Sequence, residues 1–283
     1  TFPHDLDLDG MKIVLDCAHG AAYAVSPLVF RELGAKVVAC GVEPDGTNIN
    51  DGVGSLHPEV VAAKVKETGA AIGIALDGDA DRAIFVDERG EIVDGDKVMA
   101  ICAKHLLEEG RLKDNTLVST VMSNVSLEKL MESLGGKLVR TQVGDRYVVE
   151  QMRAGGYSLG GEQSGHVIFL DHATTGDGTV CALQLLAVMR RTGASLSELA
   201  RVLELAPQQL LNIRVRERVA LEENARIYDA MKSAEERLSA GGRLLVRYSG
   251  TEPLLRLMAE HPDEGLLSGV LEDLAGVVRA ELG

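Results

Sequence analysis

Three aspartates, Asp77, Asp79 and Asp81, alternate with Gly78 and Ala80 in the stretch Leu76-Asp77-Gly78-Asp79-Ala80-Asp81-Arg82. No cation lies between the three carboxylates, so they repel one another unless a positive charge sits among them. A hard divalent ion suits that need. Mg²⁺ in particular takes few protein ligands and keeps positions open for water or phosphate oxygens. Gly78 and Ala80 are small enough for the backbone to curl around an ion. A helix-flanked calcium loop fits the aspartate spacing, with Glu88 at its twelfth position, but Arg82 stands where such a loop needs glycine. The flanks argue the same way, because residues 71–76 and 83–86 are apolar runs of strand character. A solvated acidic turn without an ion also fits the stretch taken alone.

Two further stretches could do chemistry. Gly160-Gly161-Glu162-Gln163-Ser164-Gly165-His166 combines exposed backbone with polar side chains. Glu162 can accept two hydroxyl hydrogen bonds, Ser164 can give and take one, and His166 can bind or shuttle a proton. That inventory suits a sugar ring, and a glycine turn satisfying its own backbone is the competing reading. The overlapping Gly156-Tyr157-Ser158-Leu159-Gly160 matches a hydrolase nucleophile motif. Such an elbow needs a helix after its serine, and here glycines and another strand follow. Arg247-Tyr248-Ser249-Gly250-Thr251-Glu252-Pro253, with Arg256 beyond, offers hydroxyls, free backbone N–H groups and fork-shaped charge. This is phosphate-binding chemistry, with a plain hairpin turn as the alternative.

The elements that must position these stretches alternate. Strand patterns cover residues 11–15 and 36–40, and residues 58–68 read as a helix before the strand into the acidic loop. Ser26-Pro27 reads as the start of a helix that Gly34 ends. This order implies a largely parallel sheet with helices on both faces. Residues 85–93 read as a hairpin, followed by a second alternating unit through residue 190. Ser126 and Asp177 read as helix caps, and Ser195-Leu196-Ser197-Glu198 as a capping box. After Pro207 the pattern becomes strands at 210–215, 244–248 and 254–259 with helices at 221–238 and 266–282. The expected fold is therefore α/β: two α/β domains with mixed sheets, 1–88 and 89–206, and a C-terminal α+β domain, 207–283.

The chain has 283 residues, 46% of them hydrophobic and 25% charged, which is enough to bury a real core. Its net charge of −14 argues against nucleic acid or an anionic membrane as main partner. Local arginines still allow an anionic substrate. Four widely spaced cysteines, Cys17, Cys40, Cys102 and Cys181, read as reduced thiols of a cytoplasmic protein. No run reaches transmembrane length, and no signal peptide is evident. The chain opens without methionine and reads as a piece of something longer.

At these residues the sequence resembles the α-D-phosphohexomutase superfamily, and within it the phosphoglucosamine branch. Asp77-Gly78-Asp79-Ala80-Asp81-Arg82 is similar to the family's metal loop, which implies Mg²⁺ on Asp77, Asp79 and Asp81 with Arg82 beside the reaction. The Glu162 loop resembles the sugar loop, implying Glu162 and Ser164 on ring hydroxyls and His166 among the catalytic groups. Gln163 is similar to the phosphoglucosamine branch, as are residues 48–52 and 143–147; phosphomannomutases usually carry methionine at the Gln163 position. The last loop resembles the phosphate loop, implying Arg247, Ser249, Gly250, Thr251 and Arg256 as substrate ligands. The resemblance implies interconversion of glucosamine 6-phosphate and glucosamine 1-phosphate through a phosphoserine and a bisphosphate. The alternatives are a phosphomannomutase or phosphoglucomutase, or a phosphosugar-binding piece without chemistry. The family's Ser-His-Asn-Pro loop, carried by an N-terminal domain, is absent from these residues. The piece is expected to be inactive alone, with that domain as its partner; a homodimer is left open. Tyr248 stands where the family usually has proline, which puts the stiffness of the phosphate loop in question, and Leu56 stands where threonine is common.

Overall fold

The computed structural model describes every residue except Thr251. Contacts divide the described chain into two compact units, residues 1–123 with 127–204, and residues 124–126 with 205–283.

The first unit begins with β1 (Lys12–Asp16), α1 (Val25–Glu32), β2 (Lys36–Cys40), α2 (Pro58–Thr68), β3 (Ile72–Leu76), β4 (Ala83–Asp87) and β5 (Ile92–Val93). These strands form one sheet in the order β2-β1-β3-β4-β5. β1 runs parallel to β2 and β3, whereas β4 and β5 are antiparallel. The reversal has a simple cause: only residues 77–82 join β3 to β4, too few for the crossover a parallel neighbour needs. The acidic loop is thus a hairpin connection at the carboxyl end of a central strand. One face of the sheet packs on α2, where Val61 and Val65 meet Val14, Ala75 and Val86. Gly73 makes this fit possible, since a Cβ there would lie 2.3 Å from Val61. Ile74, Leu76 and Phe85 are fully buried on the other face.

The same unit continues through α3 (Gly95–Glu108), β6 (Thr116–Thr120), α4 (Val125–Ser133, from residue 127 on), β7 (Lys137–Thr141), α5 (Asp145–Gly155), β8 (Leu159–Gly161), β9 (Val167–Phe169), α6 (Gly178–Thr192) and α7 (Leu196–Leu199). Its second sheet has the order β7-β6-β8-β9, with only the β8–β9 pair antiparallel. Asp94 caps α3 through the Lys97 N–H, and Asp177 caps α6 through the N–H groups of Thr179 and Val180. The capping box on α7 forms in both directions.

The second unit carries β10 (Gln208–Arg214), α8 (Ala225–Leu238), β11 (Arg243–Tyr248), β12 (Leu254–Glu260) and α9 (Glu264–Leu282). Its sheet is wholly antiparallel, in the order β10-β12-β11. Leu255, Leu257 and Ala259 of β12 alternate inward against Ile227, Leu238, Leu267, Leu271 and Leu274.

Three local expectations change. Ser26 and Pro27 lie inside α1, whose cap position is Ala24 without a side-chain bond; the Ser26 hydroxyl instead meets Thr179 Oγ1 at 2.6 Å. Ser126 lies within α4, and its own N–H is held by Asn124 Oδ1. The helix expected from residue 221 breaks at Asn224, which caps α8 through the Ile227 N–H.

Candidate active site and phosphate loop

The acidic loop is held in shape by its own backbone. Asp77 accepts the Arg82 N–H at 3.1 Å and Arg82 Nε at 2.8 Å, one on each carboxylate oxygen. The Ala80 N–H bonds back to the Asp77 carbonyl, and Ala80 adopts a left-handed φ of 62°. That conformation is uncommon for a residue with a side chain, so the surrounding bonds must fix it. The neighbours supply them: Gly178 N–H donates to the Ala80 carbonyl, and Ala83 N–H to that of Gly165.

Other segments press on this loop so closely that they must lack side chains. A Cβ on Gly20 would lie 2.1 Å from the Gly78 carbonyl oxygen. The Ala21 N–H donates to that same oxygen at 2.7 Å. A Cβ on Gly78 would in turn strike Ile49 and Asn50. The 16–20 turn is itself fixed by the buried Asp16 carboxylate, which takes the N–H groups of Ala18 and Gly54. None of Asp16, Gly20 or Asn50 announces a role in the sequence. A polar loop of residues 43–52 is visible there, but not what it rests on.

One carboxylate oxygen from each of Asp77, Asp79 and Asp81 lies within 4.8 Å of the others. Asp77 is buried, Asp81 half-buried and Asp79 exposed, so the group opens to one side. Asp81 Oδ1 is buried without a hydrogen-bond partner among the described residues. A buried anionic oxygen without a hydrogen bond, its nearest positive group Arg82 Nε at 3.5 Å, beside two further carboxylates fits a hard divalent cation such as Mg²⁺. Arg82 reaches Asp81 at 3.5 Å. Burial works against its charge, but Asp77 and Asp81 outweigh that and hold the guanidinium above its ordinary value.

His166 comes from the β8–β9 hairpin. Its Nδ1 lies 3.1 Å from Asp81 Oδ2, and its ring is buried. The ring fits because Gly176 passes beside it; a Cβ there would be 2.4 Å from Nε2. The same hairpin carries Glu162 and Ser164, which with Thr120, Met122, Val143 and Gln163 line an open cavity of about 420 Å³. Glu162 Oε1 accepts the Gly144 N–H at 3.0 Å, tying the hairpin to the turn before α5.

The phosphate loop lies in the second unit, between β11 and β12. Arg247 and Arg256 face each other across the β11–β12 pair. Burial, and then the Arg256 charge, push the Arg247 guanidinium below its ordinary value. Like charges directly opposite destabilise a strand pair unless an anion joins them. Arg256 Nη2 pairs with the Glu252 carboxylate at 3.6 Å, while its Nε is buried with no hydrogen-bond partner among the described residues. Ser249 is buried, and its Oγ accepts the Glu252 N–H at 3.4 Å. Gly250 is exposed, and Thr251 lies outside the described residues. Arg218, which no motif singles out, gathers the carbonyls of Ser249, Gly250 and Glu252 on one Nη2. The Tyr248 hydroxyl both donates to and accepts from the Val219 backbone. Tyrosine in place of proline therefore ties the end of β11 to the Val219 backbone through its hydroxyl.

Three family models match in order: phosphoglucomutase/phosphomannomutase alpha/beta/alpha domain II over residues 4–90, alpha/beta/alpha domain III over 94–205, and the C-terminal domain over 210–277. The chain belongs to the phosphoglucomutase/phosphomannomutase family, of the α-D-phosphohexomutase superfamily. Across all 283 residues it is 60% identical to a phosphoglucosamine mutase of Geobacter sp. strain M21 and 59% identical to one of Syntrophotalea carbinolica. It spans 62% of the length of each of these curated relatives. A phosphoglucomutase/phosphomannomutase family protein of Burkholderia thailandensis superposes with a TM-score of 0.78 at 25% identity, covering 95% of this chain and 60% of that one. The N-acetylphosphoglucosamine mutase of Aspergillus fumigatus, solved with GlcNAc-6P and magnesium, gives 0.76 at 20% identity, covering 96% and 66%.

Proposed function

We propose that the whole protein interconverts glucosamine 6-phosphate and glucosamine 1-phosphate as an intramolecular phosphotransferase. In this reading a phosphoserine outside these residues donates its phosphoryl group, and a bisphosphate returns one from its other end. The observation that carries the reading is the meeting of Asp77, Asp79, Asp81, Arg82 and His166 at one strand end. The identities to phosphoglucosamine mutases support the amino-sugar branch. Asp77, Asp79 and Asp81 would hold Mg²⁺, which supplies charge neutralisation for a transferring phosphoryl group. Arg82 adds a fixed positive charge beside them. His166, buried against Asp81, acts as a positioning residue for that carboxylate. Glu162 and Ser164 take sugar hydroxyls at their cavity. Arg247, Arg256 and the Ser249-Gly250-Thr251 turn hold a phosphate. The division at residues 88 and 206 belongs to the same proposal, supported by the separate sheets, although the β4–β5 hairpin carries the first sheet on to Val93.

Among the described residues no helix is long and apolar enough to cross a membrane. The test is a coupled assay of the 283-residue chain with glucosamine 6-phosphate, its 1,6-bisphosphate and Mg²⁺. The chain alone is expected to read background, and mixing with the serine-bearing remainder of the protein to restore turnover. Turnover by the chain alone at the rate of a full-length mutase would reject the phosphoserine route.

A further inference from the structure

The cavity beside the Glu162 hairpin has a seventh lining residue, Asp94, and no basic side chain among the described residues. Two carboxylates therefore face a space otherwise walled by Thr120, Met122, Val143, Gln163 and Ser164. We propose that Asp94 is a specificity-determining residue that accepts the protonated amino group of the sugar, so that this cavity selects a cationic hexosamine over a neutral hexose. The inference rests on the phosphosugar reading above and deepens it.

Asp94 is built to hold its place. It caps α3, with Oδ1 accepting the Lys97 N–H at 3.1 Å. Its Oδ2 accepts Gln163 Nε2 at 3.2 Å, so cap and sugar hairpin share one carboxylate. The Gly95 N–H donates to the Gln163 carbonyl at 3.0 Å. A Cβ on Gly95 would lie 2.1 Å from the Glu162 carbonyl oxygen, so the helix start and the hairpin touch through backbone.

The partners of the two carboxylates are all neutral. Glu162 has the Gly144 N–H; Asp94 has a backbone N–H and an amide. A carboxylate oxygen has two acceptor sites, so each group can take a further donor from a ligand. A hydroxyl would satisfy hydrogen bonding but leave two negative charges in the cavity. An ammonium satisfies both, and a charge-assisted bond exceeds a neutral one by roughly tenfold or more in affinity.

Glucosamine 6-phosphate and glucose 6-phosphate differ only at the amino-bearing carbon, so the pair isolates the effect. Each is titrated calorimetrically into the wild-type chain and Asp94→Asn at about pH 6.5, well below the roughly 7.7–8.0 range of a comparable amine. Asparagine caps a helix about as well as aspartate, and melting curves confirm that the variant folds. The wild type is expected to prefer the amino sugar by about tenfold or more. In Asp94→Asn the preference should shrink to about threefold or less while glucose 6-phosphate binds as before. Raising the pH to about 9.5 should shrink the wild-type preference in the same way. Equal wild-type affinities would overturn charge selection and leave the phosphosugar reading standing. A preference that survives in Asp94→Asn, or an equal loss of both ligands there, would remove Asp94 from the role. Failure of both ligands to bind wild type would reject the phosphosugar reading itself, and this inference with it.

Discussion

At the scale of single residues, the three aspartates divide their labour by burial. Asp77 spends its oxygens on Arg82, while Asp79 is exposed and Asp81 keeps one buried oxygen without a hydrogen bond among the described residues, 3.5 Å from Arg82 Nε. Asp79→Asn is therefore expected to weaken Mg²⁺ binding with little effect on folding, measured by calorimetry at neutral pH. His166→Ala should weaken it too, by roughly 10–100-fold, because an outer partner orients the ligand it touches. Equal affinity in wild type and Asp79→Asn would place the ion elsewhere. The arginine pair invites a matching test. Arg247→Ala should reduce sulfate or phosphate binding at the Gly250 amide by about tenfold or more, read from NMR shifts. A plain β-turn would leave the Gly250 amide unmoved by either anion. The grouping of the three carboxylates was legible because they occupy alternate positions of one short loop. Their supports were not. Asp16, Gly20 and Arg218 act through backbone contacts with segments distant in sequence, and such contacts leave no spacing to read.

Elements follow the same division. Helix starts that use a local side chain were visible, as at Asp177 and Ser195. Ser26 misled because its hydroxyl has a tertiary partner in Thr179, which sequence neighbours cannot reveal. The reversal of β4 was foreseeable only in part: the 85–93 hairpin was evident, whereas the antiparallel turn at the acidic loop follows from its length. Glu88 joins two elements, since its carboxylate, just beyond β4, accepts the Ser197 N–H and hydroxyl at the start of α7. Burial opposes its charge, but those Ser197 bonds prevail and hold the carboxyl below the ordinary glutamate value. A depressed folded value means the stabilisation is complete above the unfolded value and is lost as pH falls through the folded one. Glu88→Gln should therefore lower stability near neutrality and flatten the loss below roughly pH 4.3, followed by thermal melts against pH. Parallel acid limbs in both proteins would show that Glu88 contributes nothing there.

Across the whole molecule, all four cysteines fall in the first unit. Burial pushes the thiols of Cys17, Cys40 and Cys102 up to about 12, and Cys181 well above the ordinary value. At pH 8 a thiol of that kind is only about one part in 10⁴ thiolate. The native protein should resist a disulfide-exchange reagent, and four thiols should react once the first unit opens. Labelling against denaturant then reports that unit alone, and rapid native labelling of Cys17, Cys102 or Cys181 would contradict its burial. The contact of Gly20 with Gly78 also belongs to this scale, for it joins positions 58 residues apart. Gly20 is not held to glycine by its own φ but by a carbonyl oxygen of another segment. Steric conflicts between side chains can be relieved by a second mutation that shrinks the neighbour. A backbone carbonyl is present whatever the codon at position 78 encodes. Position 20 therefore has no compensating substitution at its contact partner, and lineages that drift elsewhere in this chain should find that door closed from both sides.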